Sequence, residues 1–174
     1  MKVAVLVEDG YQVLEVWYPY LRLREQGIDT LLVGTGRKQE YHSKEGYPAG
    51  EELSIDKAKV SDFTGVVIPG GWAPDFLRRY PEVNSFVREM HNKGKIVAAI
   101  CHGGWVLISA GILKGRKATS FSAIKDDMVN AGTEFFDREV VVDGNLITAR
   151  NPYDLPAFCR EILKRVRIDQ CSTS

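Results

Sequence analysis

The chain has 174 residues, 44% of them hydrophobic and 26% charged, with 23 Lys and Arg against 23 Asp and Glu. That length predicts one domain with a sizeable core, expected over residues 1–166, with a polar tail over 167–174. The even charge gives no electrostatic basis for nucleic acid as a stable partner or for a membrane surface; the apolar start MKVAVLVEDG is too short for a signal peptide or a membrane span, so a cytoplasmic protein is expected.

Residues 2–7 (KVAVLV) form a short, nearly continuous apolar run, as a strand buried on both faces requires. In the following EDGYQVLEVWYP, Pro19 is tolerated in the first turn of a helix but not well inside it, so a helix is expected from near Glu15, with that acid at its head. Residues 29–34 (DTLLVG) read as the second strand. Residues 40–50 (EYHSKEGYPAG) are polar and carry glycine and proline, which predicts a small hairpin or loop excursion. A third strand, GVVIP at 65–69, runs into PGGWAPD; Val83, Phe86, Val87 and Met90 then recur at the helical period, closed by Gly94. A fourth strand, KIVAAI at 95–100, meets Cys101, His102 and Gly103, and WVLISAG follows as a buried helix ended by Gly111. Residues 139–148 (EVVVDGNLIT) are two β-runs around Asp143, Gly144 and Asn145, a hairpin signal. Asn151 and Pro152 read as the N-cap and first residue of a last helix, with Leu155, Phe158, Ile162, Leu163 and Val166 as its apolar stripe, and RIDQCSTS is expected to fray. The alternation predicts an open α/β sandwich around a mostly parallel sheet, flavodoxin-like in style.

In such a sheet the loops leaving the carboxyl ends of parallel strands share one edge, where ligands bind. Glu15, the Gly70–Gly71 pair and Cys101 therefore converge there. A cysteine at a strand-to-helix elbow feels the helix dipole and nearby backbone donors, which predicts a lowered pKa; a fall from about 8.5 to about 6 would make a thiol mostly ionised at neutral pH. The N–H groups of Gly71 and His102 are candidates for an oxyanion hole. Glu15 beside a thiolate would repel it as a carboxylate and is expected to carry a proton instead. The bland readings are a cysteine packed as a small hydrophobe, a solvated acid at Glu15 and a plain N-cap at Asp75. Adjacent side chains do not naturally face one another, which counts against His102 as a partner of Cys101. His42 and His91 are expected at the surface; Trp72 and Trp105 are candidate lining residues, whereas Trp17 is expected to pack with Val13 and Tyr20. Cys101, Cys159 and Cys171 are odd in number and lack C-x-x-C spacing, so neither a disulfide framework nor a zinc site is indicated, and no metal or cofactor is expected.

Taken together, VVIPGGWAPDFLR, GKIVAAICHGGWVLISAGILKGRKATS, IKDDMVNAG and VVVDGNLITARNPYDLPAF resemble the PfpI family of intracellular proteases and glyoxalase- or deglycase-like proteins, within the class I glutamine amidotransferase-like superfamily. The resemblance runs in order from Met1 to about Val166. It implies a flavodoxin-like three-layer sandwich with a nucleophile elbow and a small β-hairpin. By position it implies Cys101 as nucleophile, His102 as its partner, Glu15 against the sulfur and Asp75 as the third member. Gly70, Gly71, Gly103 and Trp105 are expected to form the oxyanion and substrate pocket. A homodimer or larger ring is implied, in which Asp75 reaches a neighbouring subunit's site. Asp75 stands where relatives often have glutamate, Phe121 where they commonly have tyrosine or histidine, and CHGGW replaces the more usual CHGPQ.

The sequence leaves three functions open: an enzyme of stress protection acting on small reactive carbonyls such as methylglyoxal or their adducts, an intracellular cysteine peptidase, and a non-catalytic redox sensor using Cys101. A response regulator would need an acid where Pro69, Gly70 and Gly71 stand, and a dinucleotide site would need G-x-G-x-x-G where EDGYQV stands. A full glutamine amidotransferase places a histidine far downstream of the cysteine, and none follows His102.

Overall fold

The structure, a computed structural model, describes the backbone of residues 1–172 and the side chains of residues 1–167. Its elements in chain order are β1 (Lys2–Leu6), α1 (Val13–Glu25), β2 (Asp29–Gly34), β3 (Glu40–His42), β4 (Pro48–Gly50), β5 (Leu53–Ser54), β6 (Gly65–Ile68), α2 (Ala73–Leu77) and α3 (Pro81–Asn92). There follow β7 (Ile96–Ile100), α4 (Gly104–Ala110), β8 (Lys117–Ala118), α5 (Lys125–Asn130), β9 (Glu134–Phe135), β10 (Val140–Asp143), β11 (Leu146–Ala149) and α6 (Leu155–Ser172).

A seven-stranded sheet in the order β10-β11-β7-β6-β1-β2-β5 forms the middle layer. Every pairing in it is parallel except the β10–β11 hairpin. Every residue of β6 and β7 is buried, as their unbroken apolar sequences require of strands covered on both faces. One helical layer is α1 with α6, which pack on each other and on the sheet; α3 and α4 do the same in the other. The expected sandwich is thus the architecture observed.

Two local expectations need correction. The first helix begins at Val13, not near Glu15, and Pro19 lies inside it. Gln12 supplies the start signal, since its side chain accepts a 2.9 Å hydrogen bond from the Glu15 N–H. The helix tolerates the missing N–H of Pro19 because the burial of Val16, Pro19, Tyr20 and Leu23 against the sheet holds it in place. Glu15 still falls in the first turn. The polar tail expected to fray continues α6 as far as Ser172.

Two hairpins shape the carboxyl edge of the sheet. Residues 40–50 do form one, β3 with β4, and its turn is tied to the chain leaving β1 by Gly10 N–H to His42 O at 2.8 Å and Lys44 N–H to Tyr11 O at 2.9 Å. The β10–β11 hairpin joins the main sheet, with Ala149 opposite Ile100, so Arg150 and Cys101 leave the sheet side by side.

Candidate active site

Cys101 follows β7 directly and has φ 60, the one non-glycine residue at positive φ among those described. A side chain there is strained, and the strain is held by the buried strand before it and the helical turn Cys101–Gly103 after it. The same turn decides the position of His102. In an extended chain neighbouring side chains point apart, but the left-handed residue rotates one toward the other, and Cys101 Sγ lies 3.3 Å from His102 Nδ1. The two side chains do face one another, contrary to the expectation from adjacency. Burial and the charge of Lys44 lower the pKa of His102, favouring its neutral form.

Glu15 is fully buried, and its Oε2 accepts a 2.6 Å hydrogen bond from the Gly70 N–H. A Cβ on Gly70 would lie 2.6 Å from that oxygen and 2.7 Å from Cys101 Cβ, so only glycine lets the loop touch both groups. Gly71 has φ 74 and its Cβ would fall 2.4 Å from Gly10 O, a second position closed to larger residues. The backbone N–H groups of His102 and Gly71 favour the charged form of the Cys101 sulfur and pull its pKa down. These are the two donors expected to flank the nucleophile.

The lowered pKa expected of an elbow thiol is not observed. Burial, and then the negative charge of Glu15, push Cys101 up to about 12 against the pull of the two backbone donors. Burial in turn raises Glu15 to about 7, opposed by the Gly70 N–H and by Cys101. The two groups therefore titrate as a pair. Oε1 of Glu15 is buried without a hydrogen-bond partner, and a proton there gives it a donor to turn toward the sulfur.

Cys101, Glu15, His102 and Gly71 line a cavity of about 290 Å³. The remaining walls are Gln12, Lys44, Trp72, Phe121 and Pro152. Phe121 stacks on His102 with ring centroids 5.1 Å apart and donates its backbone N–H to the Cys101 carbonyl at 3.3 Å. Trp105 is not part of this cavity: its ring meets His102 in an edge-to-face arrangement with centroids 5.1 Å apart, and its Nε1–H donates to Asp127 Oδ2 at 2.8 Å. It steadies the imidazole rather than flooring the pocket. Gly103 is also a packing position, because a Cβ there would sit 2.7 Å from Ile68 O. Asp75, in the first turn of α2, is ion-paired with Arg79 and lies outside the cavity. His42 is exposed as expected, whereas His91 is half-buried. Lys44 is a site residue that sequence reasoning missed. It sits in an excursion legible only as a hairpin, and its place beside the cysteine depends on the bond to Tyr11. Among the described residues no group of three His, Cys, Asp or Glu side chains is placed to hold a metal.

The model of the DJ-1/PfpI family matches residues 1–165. A deglycase of Pyrococcus horikoshii is 44% identical over 96% of this chain and all of its own, and protein/nucleic acid deglycase 2 of Escherichia coli is 40% identical over 94% of this chain and 96% of its own. The putative cysteine protease YraA of Bacillus subtilis is 38% identical over 95% of this chain and 98% of its own. Among solved structures, a two-domain protein of Anabaena variabilis with DJ-1/ThiJ/PfpI-like and ferritin-like domains superposes with a TM-score of 0.94 at 42% identity, over 95% of this chain and 50% of that one. DJ-1 of Schizosaccharomyces pombe, at 22% identity and a TM-score of 0.87 over 95% of this chain and 92% of its own, shares the fold.

Proposed function

Since the chain belongs to the DJ-1/PfpI family, we propose that it is a cysteine-dependent enzyme acting on small reactive carbonyls or on their adducts with amines and thiols. One observation carries this reading: a cysteine in a strained left-handed elbow lies against a fully buried carboxyl whose pKa is near 7. Several similar proteins are named deglycases, which supports the same chemistry.

In the reaction we propose, the reactive microstate has the proton of the pair on Glu15 and the charge on sulfur. Cys101 Sγ attacks the aldehyde carbon of methylglyoxal, forming a C–S bond while the carbonyl electron pair moves to oxygen. Gly71 and His102 N–H groups hold that oxygen, and Glu15 gives it a proton. Glu15, now a carboxylate, moves the proton on the attacked carbon to the adjacent carbon through an enediol, leaving a lactoyl thioester. Water then cleaves the C–S bond, so the net change is methylglyoxal plus water to lactate. In an amine adduct the aldehyde carbon is a hemiaminal: its C–N bond breaks as the amine leaves with a proton from Glu15, Cys101 Sγ takes its place on that carbon, and the same proton shift and hydrolysis follow, so the net change is adduct plus water to free amine and lactate. A cavity of about 290 Å³ suits such substrates and is small for a polypeptide. Among the described residues His102 has no carboxylate partner, and we include in the proposal that copies of the chain assemble so that Asp75 of one faces His102 of the next.

The test compares wild type with Cys101→Ala on methylglyoxal, a glycated amino acid and a fluorogenic peptide. Lactate formation and deglycation are expected to vanish in the variant while the fold is kept. Unchanged turnover would overturn the mechanism. Cysteine-dependent cleavage of the peptide alone would favour the peptidase reading, and a variant that differs only in oxidation behaviour would favour the redox sensor.

A further inference from the structure

A second basin of about 500 Å³ lies on the other side of Phe121 from the reactive cysteine, and nothing in the proposed chemistry uses it. The two cavities share the Phe121 ring and the turn at Asn151 and Pro152, Asn151 lining one and Pro152 the other. The fold dictates this neighbourhood. The Ala149–Ile100 register brings Arg150 out of the sheet beside Cys101, and the Phe121 N–H bond to the Cys101 carbonyl fixes the 120–122 segment on the elbow.

The basin is lined by two cations, Lys125 and Arg150, and by one carboxylate, Asp137. Lys125 has no carboxylate within 4.0 Å among the described residues; its ammonium lies 5.7 Å from the centre of the Phe135 ring, which positions it without neutralising it. Arg150 is aimed by the buried Asp154, which accepts from its Nε at 2.9 Å and from its backbone N–H at 3.1 Å. Its Nη1 donates to Asp137 at 2.8 Å, and that side chain is 81% exposed. An ion pair with one partner so open to water is worth little, so an incoming anion can take the place of Asp137 at small cost. Nε and Nη2 are both held by Asp154, so the Nη1 side of the guanidinium and the mobile ammonium of Lys125 are the donors open to an anion, a combination that suits a carboxylate or a phosphate.

We infer that the basin formed by Lys125 and Arg150 behind Phe121 holds the anionic end of the amine- or thiol-derived half of an adduct whose carbonyl-derived carbons occupy the cysteine cavity. The inference rests on the carbonyl-adduct reading and names its substrate class: adducts ending in a carboxylate or phosphate, preferred over neutral ones. Lys125 is then a specificity-determining residue. Methylglyoxal itself, being small and neutral, does not use the basin.

The test uses matched substrates that differ only at the far end: the methylglyoxal adducts of N-acetylcysteine and of its amide, and those of ethanolamine phosphate and of ethanolamine. Wild type is expected to favour the charged member by roughly tenfold in kcat/KM, mainly through KM, as the gain or loss of a charge-assisted contact gives. Lys125→Met, which keeps the chain length over Phe135, is expected to remove most of that preference with methylglyoxal turnover unchanged, and Lys125→Arg to restore it. The pair showing the larger preference identifies the anion. No preference in wild type, or one that survives in Lys125→Met, overturns the inference. A binding arm separates this from the catalytic reading: Cys101→Ala protein is titrated with N-acetylalanine and with its amide. Tighter binding of the carboxylate, lost on adding Lys125→Met, supports the basin even if the adduct chemistry fails; equal binding overturns it even if turnover is intact.

Discussion

At the scale of single residues, the proposed chemistry turns on the pair Glu15 and Cys101. Burial opposes charge on both, and the charge of either opposes that of the other. In the proposed reaction the thiolate forms while Glu15 keeps its proton, so the carboxyl is a condition of the proposed nucleophile. Glu15→Gln removes the carboxylate charge, so the thiolate absorbance of Cys101 is expected to rise at lower pH than in wild type. Turnover of methylglyoxal should nonetheless fall, because an amide cannot give and retake a proton. Stability gives an independent reading. A carboxyl raised from 4.5 to about 7 binds its proton more tightly in the folded chain, so its contribution is complete below the unfolded value and is lost as pH rises through 7. The total is about 3 kcal/mol from a shift of this size. Denaturant midpoints at pH 5 and pH 8 should differ for wild type and converge for Glu15→Gln; equal slopes in the two proteins would mean that Glu15 is not the buried acid responsible.

At the scale of elements, loop against strand sets the geometry. The 70–71 turn touches Glu15 and Cys101 because neither glycine has a Cβ to hold it off, and β7 ends just before the residue that must bend. The junction between β11 and α6 performs the same service for Arg150. Asn151 caps the 3-10 turn Pro152–Asp154 through the Tyr153 N–H at 3.0 Å, which brings Asp154 back under the guanidinium. Asp154→Asn leaves Arg150 with a weaker partner and is expected to destabilise the fold by about 1–3 kcal/mol, the guanidinium being partly open to water. Urea unfolding measures this. The same variant should loosen Arg150 and lower the preference for charged adducts, whereas a loss of stability with that preference untouched would detach the junction from the second basin.

At the scale of the whole molecule, the fold gives Cys101 and Cys159 very different standing. Cys101 is 8% exposed and opens onto the cavity, whereas Cys159 is 1% exposed within α6, with its pKa pushed up to about 12 by burial. A neutral alkylating agent should label Cys101 in the native protein and Cys159 only as fast as the fold opens globally, so the Cys159 rate should track denaturant stability. Labelling of Cys159 at the native Cys101 rate would contradict the packing of α6. Cys171 lies beyond the described side chains.

The alternation of strands and helices, the burial of β6 and β7 and the convergence of Glu15, Gly70, Gly71 and Cys101 were all legible in the chain, because period, glycine placement and the carboxyl-edge rule are local in sequence or general to the fold. The start of α1 was misread because Pro19 is overruled by packing, which propensity does not see. Lys44, Phe121, Arg150 and Trp105 acquired their places from elsewhere: a hairpin turn bonded to Tyr11, a backbone bond to Cys101, a parallel register with β7, an edge-to-face contact with His102. The pKa of Cys101 belongs with them. Sequence supplied the dipole and donors that lower it, but the sign was decided by desolvation and by a carboxylate far back in the chain, both of which exist only once the sheet edge has closed.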